Sequence, residues 1–561
     1  MDFAAFEFDR NFVIEALCRG EVDYVENVSE AAEADFFRHL LGRDVLARLA
    51  ESYPTPRKKE EVPVWLYLAS QITLKLHDAS YHAFPYVLRS GGLITALGPT
   101  VGRKAAHPDT HDVTLACTGF NDKNDYDRQT PCDQDFLRKF ARDTDASRLQ
   151  SWFNREVPRC LRALKLFDAE GLFLGDASYL FVPDNEKYEQ SVKLLFDEHN
   201  HPVDPKQVDL CDKRYQWRRC YKMVSLIHVN RDLNLFLTVA ARIVPGNDHE
   251  CPILYPLVDG FVKAVGPGCM KILVVDRGLI DGPNMGRLKT AHQIDTVVPL
   301  RKNMNAYQDM MGLTRLKDFV WEPYPTQRSK PAKQVGRPKP PTIVKRELKR
   351  QQTLAAKKGL PPPQSLPVSA LPPPPPPQPQ TLLGMARGVT SWTDCTVPLT
   401  AVVSREIDAE GKTDHWVLAT TSSSFTAAYT RSTYGLRTSI EERHRQYKCF
   451  WDLAGMPSRK FSLVVNQVLF VLLAYTLLQA HLWLRHRQQM TSRTRERTLQ
   501  FLNPTVELVA VYYQQRFCLL SLAEFAVILL EVEETARAKL LPKMKQLQRD
   551  IYHLLQNARP P

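Results

Sequence analysis

Four residues whose side chains could act on a phosphate recur at regular spacing in the C-terminal part of the 561-residue chain. They are Tyr434, Arg437, Glu441 and Lys448. On an α-helix these positions fall within about 60° of one another, so we predict that the four side chains share one stripe of a single helix. A carboxylate beside a phenol, a guanidinium and an ammonium suits an enzyme that holds a metal ion against a phosphate.

The opposite side of this segment is apolar, as expected for a helix that packs on a core. Taken alone, the pattern is equally typical of an amphipathic surface helix with one glutamate and basic neighbours. Arg443 is the one charged residue on the apolar side. The apolar residues of that side are Leu436, Ile440, Tyr447, Phe450 and Trp451.

Two aspartates upstream are associated with apolar strand patterns. The run KILVVDRGLID reads as a buried strand that ends at Asp276. Sites in open α/β sheets form beyond the carboxyl ends of such strands. In GLFLGDASYLFVP, Asp176 alternates onto one face with two leucines. We choose Asp176 as the first acid, with Asp168 and Asp184 as its competitors, and a turn or bulge is the alternative role for these aspartates.

The elements between and after these acids indicate a sheet with helices on its faces. Strands are predicted at Cys220–Asn230, Leu235–Val244 and Asp295–Leu300, and a helix at Cys251–Val265. Two later strands are predicted at residues 396–405 and 415–421.

The spacing of Tyr434, Arg437, Glu441 and Lys448 resembles the signature of insertion-sequence-4 transposases, a branch of the DDE transposases. The apolar strand followed by Asp276, an arginine and a glycine resembles the second acidic position of that family. The resemblance implies an α/β fold: a ribonuclease-H-like mixed sheet with flanking helices, interrupted by a β-rich insertion, with helical N- and C-terminal regions.

The resemblance also implies that Asp176, Asp276 and Glu441 form a catalytic, metal-binding triad. Transfer of a phosphodiester needs an activated nucleophile, a stabilised leaving oxygen and neutralised phosphate charge, which two divalent ions about 4 Å apart can supply. Hard oxygen ligands favour Mg²⁺, with Mn²⁺ as a substitute. The residues expected to grip the DNA backbone near the scissile phosphate are Tyr434, Arg437 and Lys448.

The expected reaction is DNA cleavage at the ends of a mobile element, followed by strand transfer into target DNA. The expected partner is double-stranded DNA, bound by a homodimer that forms on the DNA, in the bacterial cytoplasm or nucleoid. A nuclease of the same fold that does not join strands and an inactive DNA-binding relative are the alternatives.

Composition agrees with a polyanionic partner, since 74 Lys and Arg against 62 Asp and Glu give a formal net charge of +12. Eleven Lys or Arg fall between Arg328 and Lys358, against the single acid Glu347. A run of six prolines, Pro372–Pro377, follows and is expected to be extended. No Cys-x-x-Cys occurs among the eleven cysteines, which excludes the common cysteine-based metal motifs.

One apolar segment, Phe461–Leu484, is long enough to span a bilayer. Four polar residues interrupt it, so we interpret it as a buried core helix and expect no stable membrane association.

The predicted domains are a helical N-terminal domain with possible DNA-end recognition (1–150), the first part of the catalytic core (151–320), a basic and proline-rich linker (321–380), a β-rich insertion with the return to the core (381–430), core helices with Glu441 (431–490) and a helical C-terminal region (491–561).

Overall fold

The structure, a computed structural model, describes residues 7–30, 34–58, 62–77, 80–81, 103–106, 113–116, 134–325, 349–350, 352–353, 380–408, 411–451, 453, 455–456, 458–485, 506–514 and 516–544. Most of the linker predicted at 321–380 lies outside these residues, including the proline run. The chain divides into two compact units. The first comprises residues 1–279, 291–294 and 436–561, and the second residues 280–290 and 295–435. The domain boundaries given above remain predictions.

The strands that the structure describes are β1 (Glu7–Phe8), β2 (Tyr24–Glu30), β3 (Arg103–Ala106), β4 (Val113–Ala116), β5 (Leu172–Val182), β6 (Val192–Phe196), β7 (Pro202–Val203), β8 (Gln216–Asn230), β9 (Leu235–Pro245), β10 (Ile272–Val275), β11 (Asp295–Pro299), β12 (Glu322–Tyr324), β13 (Gln380–Val389), β14 (Leu399–Ile407), β15 (Thr413–Thr420), β16 (Val506–Tyr513) and β17 (Arg516–Ser521).

The helices that it describes are α1 (Arg10–Arg19), α2 (Ala34–Gly42), α3 (Val45–Glu51), α4 (Val64–Leu76), α5 (Gln134–Asp143), α6 (Ala146–Ala163), α7 (Cys251–Val265), α8 (Gly282–His292), α9 (Asn305–Leu313), α10 (Ala427–Gly435), α11 (Arg437–Phe450), α12 (Phe461–Leu484), α13 (Leu522–Glu531) and α14 (Glu534–Leu540).

A mixed sheet forms the centre of the first unit. β5 pairs in parallel with β10 and antiparallel with β8, while the other edge of β8 pairs with β9 and β6. Every residue of β8 from Arg219 to Val229 is buried, as expected for a strand covered on both faces. Three antiparallel strands, a helix and then a parallel strand give the expected α/β, ribonuclease-H-like arrangement with flanking helices. The predicted strands at 220–230 and 235–244 and the helix at Cys251–Val265 are confirmed.

Side chains of α6 cover the free edge of β9. The backbone N–H of Ala241 donates to Asn154 Oδ1 at 2.8 Å, and that of Ile243 donates to Gln150 Oε1 at 2.7 Å. Unpaired N–H groups on an edge strand can pair with other chains, so the side-chain amides of Asn154 and Gln150 protect this edge of the sheet.

The long apolar helix α12 lies in the core of the first unit, against α4, α6 and β9. Two of its polar residues find partners there: Asn466 Nδ2 donates to the hydroxyl of Tyr67 at 3.0 Å, and Gln467 pairs with Lys75. By length and composition α12 could cross a membrane, yet 89% of its most apolar window is buried inside the protein. The core helix of a soluble protein passes the same length test, so this is weak evidence for a span. The interpretation of α12 as a buried core helix is confirmed.

Close packing of α7 on β5 depends on Gly175, the residue before Asp176. A Cβ at this position would lie 2.9 Å from both terminal methyl groups of Leu254, which is itself fully buried. We expect Gly175→Ala to destabilise the protein by about 1–3 kcal/mol, because overpacking of a filled core forces side chains and strand to shift. The measurement is the urea midpoint of unfolding.

Gly260→Ala is the matched control for this substitution, since it lies within α7 with no atom within 4 Å of the added Cβ. It is expected to stabilise the protein slightly, by up to about 1 kcal/mol, through the better helix propensity of alanine. Equal destabilisation by both substitutions would show that the contact with Leu254 does not matter.

Segments from both ends of the chain form a second, smaller sheet in the first unit. Its strand order is β1-β17-β16-β2, with β16 antiparallel to both β17 and β2. The prediction of helices throughout 491–561 is therefore corrected, because 506–513 and 516–521 are strands. The first of these runs, 506–513, is rich in β-branched and aromatic residues, which favour a strand once a partner such as β2 is present.

The second unit is an antiparallel sheet in the order β12-β13-β14-β15-β11. The strands predicted at Asp295–Leu300, 396–405 and 415–421 are confirmed, with shifts of a few residues at their ends. β13 was not predicted. A small apolar cluster of Leu383, Val402, Leu418 and Ala427 joins this sheet to α10.

The single helix predicted from Tyr434 to Lys448 is corrected to two. α10 ends at Gly435, Leu436 forms a turn, and α11 begins at Arg437. Glycine disfavours a helix interior by about 1 kcal/mol relative to alanine. The N–H of Ser439 donates to the carbonyl of Leu436, a tight turn that restarts the helix.

Candidate active site

Three acidic residues that are distant in sequence come from separate elements of the first unit. Asp176 lies within β5, and Asp276 directly follows β10. The parallel register pairs Val275 with Gly175, and Asp276 and Asp176 each follow directly after one residue of this pair. The charge of Asp276 acts on the Asp176 carboxyl, so the two acids are electrostatic neighbours. Glu441 is carried by α11, which packs against β5.

Arg437 links these acids. Its Nη1 lies 2.7 Å from Glu441 Oε1, one helical turn away on α11, and its Nε lies 3.5 Å from Asp276 Oδ1. The charge of Arg437 also acts on Asp176 and lowers the pKa of that carboxyl. One guanidinium therefore interacts with all three acids predicted from the sequence.

Asp176 is the most buried of the three, with only 14% of its side chain exposed. Burial raises the pKa of Asp176 to about 7 from an ordinary value of 3.8. A hydrogen bond from the N–H of Ala177 and the charge of Arg437 oppose this rise, while the charges of Asp276 and Glu441 add to it. The negative charge on Asp176 is therefore incompletely compensated, and an added cation would favour it.

His444 is a neighbour of Asp176 that was not predicted from the sequence. Its Nδ1 lies 4.0 Å from Asp176 Oδ2, and its Nε2 lies 2.9 Å from the hydroxyl of Ser225, the cross-strand partner of Asp176 on β8. Burial lowers the pKa of His444 to about 3, so the imidazole is neutral near pH 7 and does not offset the carboxylate. Its position one turn after Glu441 on α11 was the available signal.

Lys448 also reaches this region from α11. Its Nζ lies 2.7 Å from the hydroxyl of Ser178, which shares a face of β5 with Asp176. Burial lowers the pKa of Lys448 to about 8, and the charge of Asp176 opposes that change. The ammonium is therefore mostly charged at neutral pH and lies in the same electrostatic environment as the acids.

The apolar side predicted for this segment is buried in the first unit. Ile440, Tyr447 and Trp451 are almost completely inaccessible. Arg443, which interrupts this side, is accommodated there because its guanidinium lies over the ring of Phe236 and Nη1 donates to the hydroxyl of Tyr475 at 3.1 Å. These contacts fix the rotation of α11 and hence the direction of Glu441 and Lys448.

Tyr434 lies on the preceding helix, α10, in the second unit. Its ring packs against Trp416, with the ring centroids 5.8 Å apart, beside the apolar cluster of that unit. Tyr434 and the other three signature residues therefore do not share one helix. The expected DNA contact of Tyr434 remains a prediction.

The two competing aspartates have other roles in the structure. Asp168 Oδ1 accepts a hydrogen bond from the N–H of Gly171 at 2.9 Å in the turn before β5. Asp184, after β5, is half exposed and forms an ion pair with Lys193. The choice of Asp176 as the first acid remains a prediction.

The acids fit a divalent cation by their donor chemistry, since carboxylate oxygens are hard ligands of the kind that Mg²⁺ prefers. Asp176 supplies a charge that lacks full compensation. In the described part of the chain, no three Asp, Glu, His or Cys side chains are arranged closely enough to hold a metal ion between them. Glu441 is the most adjustable acid, because 55% of its side chain is exposed.

Comparison with known proteins agrees with this geometry. A family model described as the transposase DDE domain matches residues 190–477, just over half of the chain. The matched range contains Asp276 and Glu441, and Asp176 lies before its start. A search of curated proteins finds no match to the chain. Members of this family act on DNA and generally use divalent metal ions. The chain belongs to the transposase DDE domain family.

Proposed function

We propose that this protein is a transposase of the insertion-sequence-4 type, which cleaves DNA at the ends of a mobile element and transfers the freed strands into target DNA. Asp176, Asp276 and Glu441 are its catalytic residues. The observation that carries this proposal is the contact of Arg437 with Asp276 and Glu441, beside a buried Asp176 whose charge is incompletely compensated.

The three acids would hold Mg²⁺, or Mn²⁺ in its place. Bound there, the metal supplies charge neutralisation at the phosphate and activation of a water or 3′ hydroxyl nucleophile. Asp176 and Asp276 extend from rigid strands, so they fix the position of the site. Glu441 completes it from the start of α11.

Two cations of α11 are suited to hold the DNA backbone. Arg437 presents a planar fork that can bind two phosphate oxygens at once, and Lys448 presents a point charge held by Ser178. Tyr434 is proposed as a further DNA contact on the spacing of the signature alone. A homodimer assembled on DNA follows from the same resemblance.

Metal binding can be tested without activity by thermal unfolding in a magnesium titration. Wild-type protein is expected to melt at higher temperature as Mg²⁺ is added, because a ligand at about 100 times its dissociation constant stabilises by about 2.7 kcal/mol. Asp276→Asn and Glu441→Gln are expected to lose most of this rise. Glu442→Gln, which alters the neighbouring carboxylate on α11, is expected to keep it.

The same rise in all four proteins would contradict the proposed ligands. Activity is tested next in the presence of Mg²⁺, with intact element ends to detect cleavage and with pre-cut ends and a target plasmid to detect joining. Joined products support a transposase. Cleavage without joining would instead indicate a nuclease of this fold, and DNA binding without either product an inactive relative.

A further inference from the structure

Helix α6 carries a stripe of arginines on its exposed side. Arg148, Arg155, Arg159 and Arg162 fall within about 60° of one another on the helix, and the stripe is about 20 Å long. All four side chains are exposed. The opposite side of α6 is buried through Phe153, Val157 and Leu161, so the helix is anchored and presents its basic side outward.

A cavity beside this stripe extends the positive charge. It has a volume of about 600 Å³ and lies between α6, the end of β9 and α7. Its wall includes Arg155 and Arg159 of the stripe together with Arg242 and Lys263. We call the six cations the basic face: Arg148, Arg155, Arg159, Arg162, Arg242 and Lys263.

Most of this charge is not neutralised within the protein. Arg155 and Arg159 share one carboxylate, Glu156, with Arg159 Nη1 3.1 Å from its Oε1. Asp248 is a second carboxylate at the cavity wall. Within the part of the chain that the structure describes, no hydrogen bond or ion pair is formed by the side chains of Arg148, Arg162, Arg242 and Lys263.

The basic face and the acidic site lie on opposite sides of the central sheet. Gly175 of β5 faces Leu254 of α7, and α7 forms one wall of the cavity. Neighbouring residues of a strand point to opposite faces, so Asp176 points away from α7 and towards α11. A stretch of DNA backbone that is bound at Asp176 therefore cannot contact the basic face at the same time.

We propose that the basic face binds a second segment of DNA through its phosphates, separate from the segment at the acids. The inference rests on the proposed function in that it takes DNA as the substrate class. A line of cations about 20 Å long matches a backbone that carries one charge per about 1.7 Å of duplex. A membrane surface fits less well, because the apolar side of α6 is buried in the core and no apolar side remains to enter lipid.

The test uses the full chain and a short non-specific DNA duplex in EDTA, with binding followed by fluorescence anisotropy across a salt series. The variant combines Arg148→Ala, Arg162→Ala, Arg242→Ala and Lys263→Ala. Because these side chains form no hydrogen bond or ion pair with any residue that the structure describes, the fold is expected to persist, and the melting temperature checks it. Each lost phosphate contact is expected to reduce the slope of log affinity against log salt by about 0.9.

We expect a slope shallower by about 2–4 and an affinity near 0.1 M salt at least about tenfold weaker. The charge-keeping variant, with lysine at the three arginine positions, is expected to retain the wild-type slope. The control is Arg19→Ala with Arg214→Ala, two exposed arginines that are already paired with Glu21 and Asp212. It is expected to leave both affinity and slope unchanged.

Wild-type affinity and slope in the fourfold variant would overturn the inference while leaving the proposed function intact. Failure of the wild-type protein to bind any duplex would instead contradict the proposed function. Vesicles of anionic phospholipid form a third arm. If the fourfold variant lost vesicle binding but kept DNA binding, the basic face would be a lipid site and the inference would be wrong.

Discussion

Glu441→Gln is expected to reduce the rate of DNA cleavage by about 10³-fold or more, whereas Glu442→Gln at the next position changes it by less than about fivefold. Loss of a metal-holding carboxylate removes several kcal/mol of transition-state stabilisation, and each 1.4 kcal/mol is about tenfold in rate. Glu442 is bound instead by Arg445, at 2.6 Å, and an exposed pair of this kind contributes about 1 kcal/mol or less.

The measurement is single-turnover cleavage of a labelled DNA end in Mg²⁺. Asp276→Asn is expected to behave like Glu441→Gln, because both residues contact Arg437. DNA affinity in EDTA and melting temperature are measured beside the rate, so that unfolding or lost binding is not mistaken for lost chemistry. Equal losses from the substitutions at 441 and 442 would remove Glu441 from the catalytic site.

Asp176→Asn is expected to stabilise the metal-free protein, by up to about 4 kcal/mol above pH 7. The pKa of Asp176 is raised from 3.8 to about 7 by burial, so the folded protein holds this proton to a higher pH than the unfolded chain does. Stability therefore falls as the pH rises from about 4 to 7. Asparagine has no charge to bury, so the stability of the variant relative to wild type increases between pH 4 and 7 and is constant above that range.

The check is the melting temperature of wild type and variant in EDTA between pH 4 and pH 8. Asp184→Asn is the control, because the hydrogen bond from Lys193 lowers the pKa of this exposed carboxyl. Loss of the Asp184 charge is therefore expected to give no rise in melting temperature. Addition of Mg²⁺ is expected to stabilise the wild type and so to reduce the difference in melting temperature between wild type and Asp176→Asn. If Asp176→Asn were no more stable than wild type at pH 8, the charge of Asp176 would not destabilise the folded protein.

Local patterns in the sequence were sufficient for the parts of the core whose structure depends on neighbours along the chain. The unbroken apolar run of β10 marks a buried strand, the residues of β8 have a strand-like pattern, and α7 has apolar residues at helical spacing. Arg437, Glu441 and Lys448 share α11 because their spacing is helical, and Asp276 follows β10 because the apolar run stops there. The expected α/β class followed from the order of these elements.

Other features depend on segments that are remote in sequence. The sheet that joins β2 to β16 could not be read from either end of the chain alone, because a strand needs a partner. The break at Gly435 separates Tyr434 from α11, which periodicity across the segment did not show.

The amino-acid sequence by itself therefore determined which acids and cations are available and which elements carry them. Only the tertiary structure decided that Asp176 lies beside Asp276, that Arg437 interacts with all three acids, and that His444 is neutral next to Asp176. The physical reason is that periodicity records neighbours along one helix or strand. Strand register, burial and the electric field at a carboxyl are set by groups that the fold brings from elsewhere.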